Sequence, residues 1–284
     1  MDGIINVYKP CGITSHDVIS RVRKILNTRR VGHTGTLDPM ACGVLPICVG
    51  KATRAAELIV ASEKEYVCNI KFGSETITQD STGEVVKVCD KRPDESGLLN
   101  VLPRFTGEIS QIPPMYSAIS IGGERLYKKA RRGETVERQP RKINIYGIEI
   151  LSFTPDEAVL RIICSKGTYI RTLCEDIGRG LGTLAHMSAL ERTRSGVFTV
   201  ENAVKTEDIC EDVIIPTDEI FADYEKIILT EKEETKVRNG AEIKKAAQCG
   251  KTYRLYGHGG DFLCISECAE RDGERILHSI KNFY

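Results

Sequence analysis

The 284-residue chain contains no tryptophan, no Cys-x-x-Cys pair and no apolar run of membrane-spanning length. Each absence closes a class of function. Without about 20 consecutive apolar residues no transmembrane helix is expected. Residues Met1 to Tyr8 lack the basic segment and apolar stretch that mark a secretory leader. The eleven cysteines form no Cys and His cluster at zinc-ligand spacing, Cys264 and Cys268 being the nearest approach. They read as ordinary thiols of a reduced, cytoplasmic protein that needs no metal. Neither GxGxxG nor GxxxxGK[ST] occurs, so no dinucleotide or nucleoside triphosphate is expected as a cofactor. An excess of one charge is also missing, with 40 Lys and Arg against 40 Asp and Glu, which argues against an indiscriminate polyanion binder.

The balance does not hold locally. Arg125, Lys128, Lys129, Arg131, Arg132, Arg138, Arg141 and Lys142 stand against Glu134 and Glu137, while the chain from Glu207 to Glu234 is strongly acidic. Such asymmetry fits one face for a polyanion and another turned away from it. For any single Lys or Arg of the basic stretch, a solvated surface charge is the alternative.

Length allows one large domain and a small one. Hydrophobic periodicity predicts a strand at Gly3–Tyr8, then a capping box at Thr14–Asp17 that opens a helix carrying Val18, Ile19, Val22, Ile25 and Leu26. A buried strand follows at Val44–Val49, a helix over 51–61, and a strand at Tyr66–Phe72. Residues 73–83 read as a polar loop and Leu98–Phe105 as a helix. An extended segment from Pro113 turns at Gly122-Gly123 into a helix over 124–132. Ile143–Phe153 and Ala158–Cys164 read as paired strands, 168–180 as a helix, and the chain onward to Arg194 as extended. Character changes near Ile215-Pro216. The last 60 or so residues read as a small β-rich appendage, with strands at Tyr253–Tyr256, Phe262–Ser266 and Arg275–Ile280.

The most informative stretch runs from Val31 to Gly50. Gly32, Gly35, Gly43 and Gly50 permit backbone angles closed to other residues, and Pro39 keeps Asp38 out of the right-handed helical region. A carboxylate is thereby presented on a tight bend at the mouth of a sheet. An isolated Asp-Pro usually bonds its own backbone, and a lone His33 is usually a satisfied or solvated histidine. The full string alters that balance. GHTGTLDP, followed by a small residue, Gly and LP, resembles the catalytic loop of the bacterial TruB family of tRNA pseudouridine synthases. Four further strings match in the same order: Tyr8-Lys9-Pro10-x-Gly12, Lys64-Glu65-Tyr66, Pro113-Pro114-Met115-Tyr116-Ser117-Ala118, and Lys166-Gly167-Thr168-Tyr169-Ile170-Arg171-Thr172-Leu173. Together they span about residues 3–200.

The resemblance implies an α+β pseudouridine synthase fold, a mixed and largely antiparallel sheet with flanking helices. It divides the chain into a catalytic domain, 1–220, with a basic RNA-clamping insertion at about 122–142, and a PUA-like RNA-binding module, 221–284. It implies isomerisation of the uridine at position 55 in the T loop of tRNA, by a monomer without metal or organic cofactor. Asp38 becomes the reacting carboxylate, Arg171 its partner, and Tyr66 the ring that lies against the base and assists proton removal. Leu190 becomes pocket wall, and His33 the ring that stacks in the RNA loop. Lys9, Tyr169, Arg125, Lys128, Lys129, Arg131, Arg132 and Arg141 become RNA contacts. Read without the family, Tyr66 and Leu190 are core residues and Arg171 is a surface charge. One departure stands out: where the family often reads Thr-Asp-Thr-x-Asp, this chain has Thr76-Ile77-Thr78-Gln79-Asp80. Two rivals keep the RNA. One is the catalytic subunit of guide-RNA pseudouridylation particles, and the other is a tRNA-binding or folding protein with a vestigial loop. A third, a nucleotide-binding protein that uses the Gly-rich loop for phosphate, predicts ATP or GTP binding.

Overall fold

The computed structural model describes residues 2–60 and 62–284. Its frame is a large sheet whose strands follow the order Val204–Lys205, Gly3–Lys9, Cys42–Val49, Ala185–Ser195, Lys64–Phe72, Glu157–Cys164, Arg141–Phe153 and Gly107–Gln111. Pairing is antiparallel throughout that path except at two places, where Cys42–Val49 meets Ala185–Ser195 and where Gly3–Lys9 meets Val204–Lys205. The expected mixed, largely antiparallel sheet is the one observed.

The strand Cys42–Val49 is buried at every position after the first because both its faces are covered. Leu45, Ile47 and Val49 join the main core with Val18, Ile19 and Val22 of the helix Ser15–Ile25. Val44 and Cys48 point the other way, into a second core that includes Phe198, Phe221, Ile265 and Phe283. Each aliphatic side chain so enclosed contributes roughly 1.5–3 kcal/mol. The first helix starts where its capping box predicts: the Asp17 backbone N–H donates to Thr14 Oγ1 at 3.1 Å, and the Thr14 N–H donates to the Asp17 carboxylate at 2.8 Å.

Several expectations change. The helix over 51–61 is a 3₁₀ segment, Gly50–Ala55, running into a short α-helix, Ala56–Val60; Ala61 lies outside the described residues, as does Met1. The polar loop after residue 73 contains a hairpin of Ser74–Thr76 with Val85–Val88. Polar composition hid it, because Val85, Val86 and Val88 are exposed and pack on no core. The helix Glu95–Val101 begins three residues before the expected start, capped by Asp94, whose carboxylate accepts from Gly97 N at 2.6 Å. Gly107–Gln111 is an edge strand with no alternation strong enough to announce it.

The chain around Ile215-Pro216 does not leave the first sheet: Ile215–Pro216 pairs with Gly3 and Ile4. A second, five-stranded sheet then forms from Glu225–Ile228, Thr252–Tyr256, Phe262–Arg271, Glu274–Asn282 and Ile243–Lys244, in that spatial order. Tyr253, Leu255, Leu263 and Leu277 of this sheet form a core with Leu229 and with Val237 of the helix Glu231–Arg238. No helix of the described residues is long and apolar enough to cross a membrane.

Candidate active site

Asp38 sits on the bend between the strands Val31–His33 and Cys42–Val49, and the bend is held from beneath. Gly12 N donates to Pro39 O at 2.7 Å. Ser15, at the start of the first helix, accepts from Leu37 N and donates to Leu37 O, both at 2.9 Å. The Lys9 ammonium donates to Pro10 O (2.9 Å), Ile13 O (2.8 Å) and Pro39 O (3.4 Å). Lys9 is 0 % exposed, so the expectation that it contacts RNA is corrected. Its charge is spent on loop carbonyls, and burial pulls its pKa down.

Arg171 enters from the first turn of the helix Ile170–Gly180. Its Nε lies 3.0 Å from Asp38 Oδ2. Two loops hold the rest of the guanidinium. Nη1 donates to Thr78 O at 3.0 Å and lies 3.7 Å from Asp80 Oδ2, while Nη2 donates to Tyr116 O at 2.8 Å. The arginine side chain is 6 % exposed and that of Asp38 is 38 % exposed. Only the carboxylate is therefore open to a substrate. Its pKa is raised, first by burial and then by the neighbouring Asp80 charge, while Arg171 and Lys9 oppose the rise without cancelling it.

Asp80 closes the Thr76–Asp80 string, which gave it no role at the site. Its second oxygen accepts from Thr78 Oγ1 (2.7 Å), Thr82 N (3.0 Å) and Thr82 Oγ1 (2.5 Å), so the carboxylate is fixed before it meets Arg171. Gln111 was also missed. Its amide donates to Tyr169 O at 3.1 Å and accepts from Tyr169 N at 2.9 Å, which pins the residue leading into the arginine's helix. Tyr169 itself is half-buried, its hydroxyl pKa raised by burial against the pull of Ser117, Arg141 and Arg171. The Ile77 departure falls on an exposed side chain, 54 % accessible, whose backbone N–H still bonds Glu84 O. Asp38, Asp80 and Arg171 are untouched by it.

A row of paired residues crosses the sheet below the loop, from Gly43 through Arg192 and Tyr66 to Ile162. Gly43 is required there: its φ is +102°, and a Cβ would lie 2.3 Å from Arg192 O. Tyr66 is 7 % exposed, with its hydroxyl pKa raised by burial and drawn back by Arg192. Leu190 is 8 % exposed in the same strand as Arg192. His33 is half-buried. Its Nδ1 accepts from Gly35 N at 3.3 Å, and burial with the Arg192 charge keeps the ring neutral to lower pH than usual.

The basic stretch forms a small hairpin, Ser120–Ile121 with Glu124–Arg125, and a helix, Leu126–Arg131. Lys128, Arg131 and Arg141 are exposed and Lys129 is half-exposed. Arg125 is exposed and donates from Nη1 to Ala118 O. Arg132 differs from the expected phosphate contact. Glu124 takes it bidentately at 2.6 and 2.9 Å, and Glu134 lies 2.7 Å from its Nε. Both carboxylates fall within the expected insertion, but their pairing with one arginine depends on the hairpin.

Comparison with known proteins agrees with this geometry. Residues 23–170 match the model of the TruB family pseudouridylate synthase N-terminal domain, and residues 171–229 match a tRNA pseudouridylate synthase B C-terminal domain. A tRNA pseudouridine synthase B of Clostridium tetani is 49 % identical, with 86 % of each chain covered. One from Clostridium acetobutylicum is 42 % identical over 98 % of this chain and 99 % of its own. Among solved structures, a Cbf5-Nop10-Gar1 complex matches with a TM-score of 0.73 at 28 % identity, covering 99 % of this chain and 85 % of that one. An H/ACA RNP bound to a substrate RNA containing 2'-deoxyuridine gives the same TM-score at 26 % identity. With an aspartate and arginine paired on the expected loop and helix, and a family model spanning more than half its length, the chain belongs to the TruB family of pseudouridylate synthases.

Proposed function

We propose that the chain converts the uridine at position 55 in the T loop of tRNA to pseudouridine, acting as a monomeric cytoplasmic enzyme. The observation that carries this reading is the Asp38–Arg171 pair at 3.0 Å, buried on the arginine side and open on the carboxylate side. Isomerisation breaks the bond from ribose C1' to N1, turns the uracil, and forms a bond from C1' to C5. The C5 hydrogen leaves as a proton and N1 gains one. No electrons are exchanged with a donor. Asp38 is the ionised group that starts this, whether by attacking the sugar, attacking the base or removing a ribose proton. Arg171 opposes the desolvation that would otherwise leave the carboxyl neutral. Tyr66 supplies the ring against the base and an oxygen for the C5 proton.

The target base is stacked within a folded loop, so it must be everted at a cost of a few kcal/mol. His33 is suited to stack in the vacated space, and Leu190 to wall the site. Lys128, Lys129, Arg131, Arg125 and Arg141 supply phosphate contacts, and the unit 221–284 acts as the PUA-like RNA-binding module. Reversing the charges of Lys128, Lys129 and Arg131 together is expected to weaken tRNA binding and to flatten its dependence on salt. The log–log slope should fall by about 0.7–0.9 for each phosphate no longer neutralised, measured by filter binding across a salt series. A slope that did not move would remove the insertion from the RNA interface.

The deciding assay is incubation of the purified protein with an unmodified tRNA transcript, followed by mapping of pseudouridine. Product at position 55 without added RNA is expected. The structural likeness to Cbf5 complexes favours a second reading, a guide-dependent subunit. Under that reading the free transcript stays unmodified.

A further inference from the structure

Arg192 is the largest of the fully buried side chains, at 1 % exposure, yet none of the roles above uses it. Its Nε donates to Val44 O at 2.7 Å and its Nη2 to Gly35 O at 3.0 Å, two carbonyls that flank Asp38 along the chain. A Cβ on Gly35 would stand 3.4 Å from Arg192 Nη1 and 3.8 Å from Lys64 Cε, so both cationic side chains reach under the loop at that glycine. Among the described residues no carboxylate lies within 4.0 Å of the guanidinium. Guanidinium groups do not shed their proton inside proteins, and an unpaired buried cation is costly. The charge is retained although a loop could be braced by neutral donors.

The groups around it indicate what the charge serves. Lys9, Lys64 and His33 carry the same sign when protonated, and each is pushed toward its neutral form, Lys64 down to about 8. The acidic groups on this side of Tyr66 are the Asp38 carboxyl and the Cys164 thiol. Tyr66 is directly opposite Arg192 on the adjacent antiparallel strand. Opposed residues of such a pair project from the same face, about 5 Å apart at Cβ. Arg192 draws the Tyr66 hydroxyl toward ionisation against the effect of its burial.

We propose that Arg192 is a positioning residue for the closing proton transfer: its charge stabilises negative charge on the Tyr66 oxygen, and its fork holds the two ends of the loop that carries Asp38. The proposal rests on the reading of pseudouridine formation given above. Tyr66, its own proton released to water, takes the hydrogen from C5 as a proton. The C5–H electron pair returns to the ring to restore the C5–C6 double bond, and Tyr66 ends as a neutral phenol.

Arg192→Gln and Arg192→Met remove the charge, and Arg192→Lys keeps it while giving up the fork. Each is assayed in single turnover on tRNA bearing hydrogen or deuterium at C5 of the target uridine, alone and combined with Tyr66→Phe. The neutral variants are expected to bind tRNA as the wild type does, to react about 10²-fold more slowly, and to show a primary deuterium effect larger than the wild type's. They should add little to Tyr66→Phe, and Arg192→Lys should recover part of the rate. A neutral variant with wild-type rate overturns the proposal. So does a rate loss that brings no isotope effect and is fully additive with Tyr66→Phe, as packing alone would give. Should neither neutral variant fold, Arg192→Lys decides: a weaker isotope effect supports the proposal and its absence overturns it. A wild type that forms no pseudouridine in the T loop defeats this proposal together with the functional reading, whereas an active wild type matched by its neutral variants defeats this proposal alone.

Discussion

Asp38→Asn is expected to abolish pseudouridine formation, lowering the single-turnover rate by about 10⁴-fold or more, while tRNA affinity stays within a few-fold of wild type. The substitution preserves shape. An amide oxygen can still accept from Arg171 Nε, at the position now 3.0 Å from the carboxylate. What disappears is a group that ionises. Because burial raises the Asp38 pKa, the wild-type rate should fall as pH drops through a value above the ordinary carboxylate range, and the variant has no such limb. Stability should move the other way. A carboxyl whose folded pKa exceeds its unfolded value, roughly 3.9, favours folding fully below that value, and the benefit is lost as pH rises through the folded pKa. At neutral pH the charged Asp38 therefore weighs against the fold, and Asp38→Asn should unfold at the same temperature as wild type or higher. Unchanged product from this variant would remove Asp38 from the chemistry and leave the vestigial-loop reading standing.

Arg171→Ala carries the second large effect. It removes the ion pair with Asp38, the approach to Asp80, and the bonds to Thr78 O and Tyr116 O together. Two carboxylates are then left without the guanidinium between them, with Lys9 still acting on Asp38, and the raised Asp38 pKa rises further. The rate should fall by about 10²–10³-fold, and the acid limb of the residual activity should shift to higher pH. Breaking a buried pair by removing one partner costs about 3 kcal/mol, which denaturant unfolding can read, since both Arg171 and Asp80 are 6 % exposed at the side chain. Weakened tRNA binding at an unchanged rate would mean that Arg171 serves the RNA and not the carboxylate.

Linear strings located Asp38 and Arg171 because each lies in or just after a short run whose glycines are constrained by the turn they build, whereas Tyr66, inside the strand Lys64–Phe72, was located only by its match to the family string. Asp80 and Gln111 escaped notice for a different reason. Gln111 belongs to no matched run, and Asp80, though it closes the Thr76–Asp80 string, was given no role there; each matters only through a partner far along the chain, Tyr169 for the first and Arg171 for the second. Lys9 shows the opposite failure. The matched string assigned it to the RNA, and only the folded loop reveals three carbonyls converging on it. The alternating runs indicated only a mixed fold, and the mixed, largely antiparallel sheet was what the resemblance implied. Its strand order was not legible, because nothing local states that Ala185–Ser195 will slot between Cys42–Val49 and Lys64–Phe72.

That insertion has a consequence for biogenesis. While roughly the first 180 residues emerge from a ribosome, the strands Cys42–Val49 and Lys64–Phe72 are made early and each presents an unsatisfied backbone edge until the segment that separates them is synthesised. Exposed edges of this sort invite association with other chains, and pairing across so long a loop is slow. The nascent polypeptide consequently cannot mature stepwise from its beginning. Its central sheet closes in a late event, at which the aspartate first acquires its arginine, so that a truncated translation product would be both inert and prone to clump.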